Sequence, residues 1–212
     1  MNRERYIQHS LDYFKGKITI KKLMEMLNAE ISFSVSGKKL LPSERFLIIA
    51  NHSLQTPELY IPAKKIENLK GGNKYNYETF HFPILTQILF QKLIGNKFTA
   101  IVEDIGWIDV SKELGHVIVK KEGDDKLKDI VSKLTKSNKS IVVFPEGGSR
   151  RLAQFHSGFL HIAQQLNIKY LVVAATSPRP SLKGHNFLKV IKIFNLDDIQ
   201  NNFKEFVEEQ RM

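Results

Sequence analysis

From residue 46 to residue 176 the chain alternates short apolar runs with amphipathic helical stretches, and this alternation constrains the fold more than any other feature. Residues 46–50 (FLIIA), 98–102, 117–119, 141–144 and 170–175 are short and almost wholly apolar, the pattern of strands buried on both faces. Between them, residues 81–94 have Pro83 placed to start a helix and Gly95 placed to stop it. Residues 124–136 set Leu127, Ile130, Val131 and Leu134 at i, i+3, i+4 and i+7 with charges on the other face, and residues 158–166 form another helical stretch. Such alternation specifies an α/β domain with a mixed, largely parallel central sheet flanked by helices. A strand over 31–35, a turn over 36–43, a Gly71-Gly72 loop within the polar stretch 64–77, a strand over 187–194 and a capped helix over 197–210 complete the pattern. Ahead of the sheet, Tyr6, Ile7, Leu11 and Phe14, then Ile20, Leu23, Met24 and Leu27, predict two short helices split by Gly16. The expected organisation is an N-terminal helical segment, 1–30, followed by one α/β domain, 31–212; a chain of 212 residues suits a single core.

Two of the buried strands run into loops dense with polar chemistry. Residues 47–60 read LIIANHSLQTPELY and residues 141–151 read IVVFPEGGSRR. In open α/β sheets, ligands bind in the crevice at the carboxyl ends of strands, where both stretches place their polar residues. Neutral imidazole takes a proton from a hydroxyl near neutral pH, so His52 is a candidate general base that needs an acceptor on its other ring nitrogen. The nearest downstream carboxylate is Glu58. Thr56-Pro57-Glu58 is also a sound helix start, with Thr as N-cap, Pro at the first position and an acid favoured by the helix dipole, so Glu58 has a catalytic and a structural reading. The second stretch supplies Glu146, glycines Gly147 and Gly148 that let backbone approach a ligand, and Ser149, Arg150 and Arg151 as ligands for a phosphate-type group. Glu146 could equally brace its own loop. A base, a flexible loop and a guanidinium pair together describe transfer to a hydroxyl on a phosphate-bearing acceptor.

Composition narrows the partners. Lys and Arg number 32 against 22 Asp and Glu, a formal charge of +10, which favours polyanions: anionic lipid, nucleic acid or an acidic carrier protein. With no cysteine, disulfides, thiolate metal sites and a cysteine nucleophile are excluded. His81, His116, His156 and His161 lack zinc-site spacing, and no set of acids converges at strand ends as a metal nuclease would need; no metal is expected. The first residues, MNRERYIQHSLDYFKGK, are charged where a signal peptide is apolar, and no apolar run approaches the roughly 18 residues of a spanning helix. A membrane role would be peripheral. Tyr75 and the aromatics up to Phe90 suit a core, or an interfacial cover for an acyl chain.

These residues resemble the glycerolipid acyltransferases, including the 1-acyl-glycerol-3-phosphate acyltransferases and lysophospholipid acyltransferases. That family's first motif is Asn-His, four residues, Asp, after an apolar strand; Asn51-His52 matches it, led in by VSGKKLLPSERFLIIANH. Its third motif, Phe-Pro-Glu-Gly-Thr-Arg-Ser, is matched by Phe144-Pro145-Glu146-Gly147, and FHSGFLHIA resembles the helix that follows. GHVIVKK, residues 115–121, resembles the second motif, with Lys121 where an arginine would stand. Pro57 occupies the place of the motif aspartate with Glu58 one residue late, and Gly148-Ser149-Arg150 replaces Thr-Arg-Ser. The resemblance, over about residues 31–178, implies an acyltransferase without a cofactor. The donor would be an acyl thioester on coenzyme A or acyl carrier protein, and the acceptor a lysophospholipid. His52 would be the base, oriented by Glu58. Asn51, Glu146, Gly147, Gly148, Ser149, Arg150, Arg151 and Lys121 would form the substrate-binding set. The expected location is cytoplasmic, on the inner face of an anionic membrane, with no nucleic-acid partner. Two alternatives stay open: acyl transfer to a lipid A precursor or an amino-acid lipid, and a catalytically weak module that binds anionic lipid.

Overall fold

The computed structural model describes residues 1–51, 56–66, 69, 79–81, 83–103, 108–119, 126–145 and 158–201. Its first helices are α1, Arg3–Phe14, and α2, Ile20–Glu30. Asn2 Oδ1 accepts the Arg5 amide at 2.8 Å and Thr19 Oγ1 accepts the Lys22 amide at 3.2 Å, so each start is capped by its own sequence. Gly16 lies between them at φ 72°, a conformation that favours glycine. Strands β1, Ser32–Ser36, and β2, Leu47–Ala50, follow. Next comes a single 3-10 turn, Pro57–Leu59, then the two-stranded antiparallel ribbon β3, Tyr60–Pro62, with β4, Thr79–His81. The remaining elements are α3, Ile84–Ile94; β5, Phe98–Glu103; α4, Ile108–Glu113; β6, Val117–Val119; α5, Lys126–Thr135; β7, Ser140–Val143; α6, Gly158–Gln165; β8, Tyr170–Thr176; β9, His185–Asn195; and α7, Leu196–Asn201.

The main sheet has seven strands in the order β1-β9-β8-β2-β7-β5-β6. From β8 to β6 all neighbours are parallel; β9 runs antiparallel to β8, and β1 is parallel to β9. The mixed, largely parallel sheet expected from the sequence is present. Strand β2 is buried at all four positions and alternates between two cores. Ile48 and Ala50 pack with Leu89, Phe90 and Leu93 of α3, while Leu47 and Ile49 pack with Ile130 and Leu134 of α5 and Phe159 and Ile162 of α6. Each of the larger of these side chains contributes about 1.5–3 kcal/mol by leaving water. Helices α1 and α2 lie outside α3, with Tyr6, Phe14, Leu23 and Leu27 in a third core alongside Ile84, Leu85, Ile88, Ile61 and Val110.

Several boundaries differ from the sequence expectation for identifiable reasons. The first turn of the expected 81–94 helix is absent, because residues 79–81 pair with β3; Pro83 becomes the N-cap and Gly95, at φ 72°, closes the helix as expected. Residues 56–59 make one 3-10 turn instead of a helix start, and Thr56 caps nothing. Strand β9 extends beyond 187–194 because its first residues pair with β1 as well as approaching β8. The expected helix over 197–210 is described as Leu196–Asn201, and most of the 64–77 loop lies outside the described residues.

Candidate active site

Strands β2 and β7, which carry the two polar motifs, are direct neighbours. They are parallel, with Leu47 opposite Ile141 and Ile49 opposite Val143, so the chain leaves Asn51 and Phe144-Pro145 at the same end of the sheet. The two exits then diverge. The chain from β2 proceeds to α3 on one face, and the chain from β7 proceeds to α6 on the other. In open α/β sheets, ligands bind at the carboxyl ends of strands where connections leave for opposite faces. Strand β6, which precedes Lys121, ends at this same edge, three strand spacings from β2, or about 14 Å.

The exit of β2 is fixed by Asn51. Its Oδ1 accepts the Thr176 amide at 2.7 Å and its Nδ2 donates to the Thr176 carbonyl at 3.2 Å, while Thr176 Oγ1 donates to the Asn51 carbonyl, also at 3.2 Å. The amide that sequence reading placed among the substrate ligands therefore holds the ends of β2 and β8 together. On the β7 side Phe144 stands edge-on to Phe90, with centroids 6.1 Å apart at 79°, and Pro145 is buried, so the lead-in to Glu146 is seated on α3.

Glu58 is half-buried on the 3-10 turn, and its Oε1 accepts the Leu182 amide at 2.9 Å. Thr56 Oγ1 donates to the Pro180 carbonyl at 2.8 Å, which is why it does not cap the turn. His52, Lys121, Glu146, Gly147, Gly148, Ser149, Arg150 and Arg151 lie outside the described residues. What is described are the strand ends from which those residues depart and the two site candidates Asn51 and Glu58.

Thr176, Ser177 and Asn186 have no counterpart in the sequence reading. Ser177 Oγ accepts the Phe187 amide at 2.7 Å. Fully buried Asn186 accepts the Ser181 amide at 2.9 Å and donates to the Ser181 carbonyl at 2.8 Å. Thr176 is bonded to Asn51 at the end of β2, while Ser177 and Asn186 bond groups at the start of β9 and on the β8–β9 connection, and no local motif announces them. His116, within the second motif, is a half-buried neutral histidine. Its Nδ1 accepts the Ala100 amide at 3.2 Å, which leaves the proton on Nε2 to donate to Gln87 Oε1 at 2.9 Å. Burial, with a contribution from the Lys139 charge, lowers its pKa to about 4.

Residues 82–176 match the acyltransferase family model. The fold is similar to the crystal structure of the 1-acyl-sn-glycerophosphate (LPA) acyltransferase PlsC from Thermotoga maritima, with a TM-score of 0.50 and 16% sequence identity over 98% of this chain and 83% of that one. No curated protein sequence matches the chain significantly.

Proposed function

We propose that this chain is an acyltransferase, a reading supported by the match of residues 82–176 to the acyltransferase family model, and that it moves a fatty acyl group from a thioester of coenzyme A or acyl carrier protein to a lysophospholipid hydroxyl. The observation that carries the reading is the adjacency of β2 and β7, with the exits toward His52 and Glu146 at one end of the sheet. His52 is the general base that takes the proton of the acceptor hydroxyl as its oxygen attacks the thioester carbonyl, and the thiol leaves with a proton. No covalent acyl-enzyme and no cofactor are needed, and holding two substrates in one crevice supplies much of the rate. Glu58 is the acid proposed to orient His52. Arg150, with Arg151 or Lys121, is proposed to hold the acceptor phosphate, a class of acceptor supported by the likeness in fold to a 1-acyl-sn-glycerophosphate acyltransferase.

The enzyme works on this reading as a peripheral protein on the inner face of an anionic membrane. Among the described residues no helix is long and apolar enough to cross a membrane, and the +10 charge suits an anionic surface. The test is acylation of a lipid extract with each thioester donor, followed by mass spectrometry. His52→Ala should lower acyl transfer by roughly 10²–10⁴ while the protein stays folded. Turnover near wild type in that variant would overturn the mechanism.

A further inference from the structure

The pairing of β2 with β8 does not stop where the strands stop. Within the sheet, Leu47 is opposite Leu171 and Ala50 opposite Ala174, a constant separation of 124 in sequence (171 − 47 and 174 − 50). Past the strand ends the same two segments stay joined by side chains. Asn51 and Thr176 bond at a separation of 125, Thr56 to Pro180 at 124, and Glu58 to Leu182 at 124. The change from backbone to side-chain bonds has a cause in the sequence. Pro178 and Pro180 carry no N–H, so an ordinary strand ladder cannot be extended along Ser-Pro-Arg-Pro. Hydroxyl, carboxamide and carboxylate groups from the β2 side take over.

The β8–β9 connection is itself held fast. Ser177 exchanges two bonds with Phe187, its N–H donating to the Phe187 carbonyl at 3.0 Å and its Oγ accepting the Phe187 amide at 2.7 Å. Asn186 bonds both backbone groups of Ser181 and also donates to the Ser32 carbonyl at 3.2 Å. A stiff connection anchored to β9 thus grips the chain on both sides of residues 52–55, the stretch that begins with the base of the proposed reaction.

We infer that the β8–β9 connection is the positioning frame of the base, and that Thr176 and Thr56 are positioning residues acting through it. The inference rests on the acyl-transfer reading for its effect on rate. Small displacements of a reacting group cost rate steeply, so a frame fastened on both sides of His52 governs turnover without touching substrate.

Thr176→Val and Thr56→Val each remove a hydroxyl donor while keeping size and β-branching, and Thr→Ser at each position restores it. Two readouts are taken on the full chain: steady-state kinetics normalised to folded protein, and amide hydrogen exchange followed by mass spectrometry. Each Val variant should exchange faster over residues 51–58 than wild type. Each should also lose about tenfold in kcat with KM for donor and acceptor unchanged, and each Ser variant should recover both. Unchanged exchange over 51–58 overturns the inference whatever the activity. Faster exchange with wild-type kcat overturns it too, by reducing the contacts to a brace. Absence of acyl transfer in the wild-type protein counts against the proposed function, and the exchange comparison still decides whether the frame exists.

Discussion

Glu58 offers two oxygens, and one of them, Oε1, already accepts the Leu182 amide. A carboxamide oxygen can accept that same bond, so Glu58→Gln keeps the brace and removes only the charge that would steady an imidazolium. The expected outcome is a fall in kcat of tenfold or more with unfolding free energy nearly unchanged, measured by kinetics and urea denaturation side by side. Glu58→Ala removes the brace as well and leaves a part-buried amide unpaired, which adds about 1–3 kcal/mol of destabilisation. Wild-type turnover in the Gln variant would leave Glu58 as a brace alone and assign the orienting of His52 to another group. At this scale the sequence was legible where a residue acts on its neighbours. Gly95 closes the helix it was expected to end, whereas the caps at Asn2 and Thr19 are seen only in the structure. Thr56 looked like a cap, yet its hydroxyl bonds Pro180, a partner that only the folded chain brings near.

Among the elements, β5, β6 and α3 meet at His116, which sits between Ala100 and Gln87 with its ring 5.9 Å from that of Phe98. Its pKa is about 4 in the folded protein and near 6.5 in an unfolded chain. Above pH 6.5 both states are neutral here and the residue adds no pH dependence. As pH falls from 6.5 toward 4 only the unfolded chain takes up the proton, so stability drops through that window, by roughly 3 kcal/mol at most. Replacing His116 with Gln should flatten this part of the stability profile, read from urea midpoints at a series of pH values; an unaltered slope would remove His116 as its source. The strands and helices themselves were legible because burial on two faces writes continuous apolar runs, as in LIIA, and burial on one face writes a helical period, as in α5. The β3–β4 ribbon was not, since three-residue strands carry too little pattern to separate them from a loop. Glu146 to Arg151 were read as ligands from their chemistry at a strand end and from a motif resemblance, and Lys121 from the resemblance alone; all of them lie outside the described residues.

For the molecule as a whole, the +10 charge makes a prediction independent of the crevice. Basic groups near an anionic bilayer contribute on the order of 1 kcal/mol each and are screened by salt. Binding to anionic liposomes in a sedimentation assay should therefore weaken steadily as salt rises, whereas equal binding to zwitterionic liposomes at every salt concentration would refute an electrostatic attachment. The sheet order has a different consequence, for the order in which the protein can come into being. Strand β2 sits at the centre of the sheet, yet its two partners are made long after it: Leu47 pairs with Ile141 and with Leu171, 94 (141 − 47) and 124 (171 − 47) residues further on. At about 5–20 residues per second on the ribosome, the strand stays without either neighbour for roughly 5 s or longer. During that interval LIIA is an unpaired apolar edge, the kind of segment that invites self-association and chaperone capture, and its non-local pairing slows folding. A chain ended at residue 138, before β7, should collect in the pellet after expression, while the full chain stays in the supernatant. A fragment that is soluble and unfolds cooperatively would mean that β2 is protected during synthesis by something other than its final neighbours.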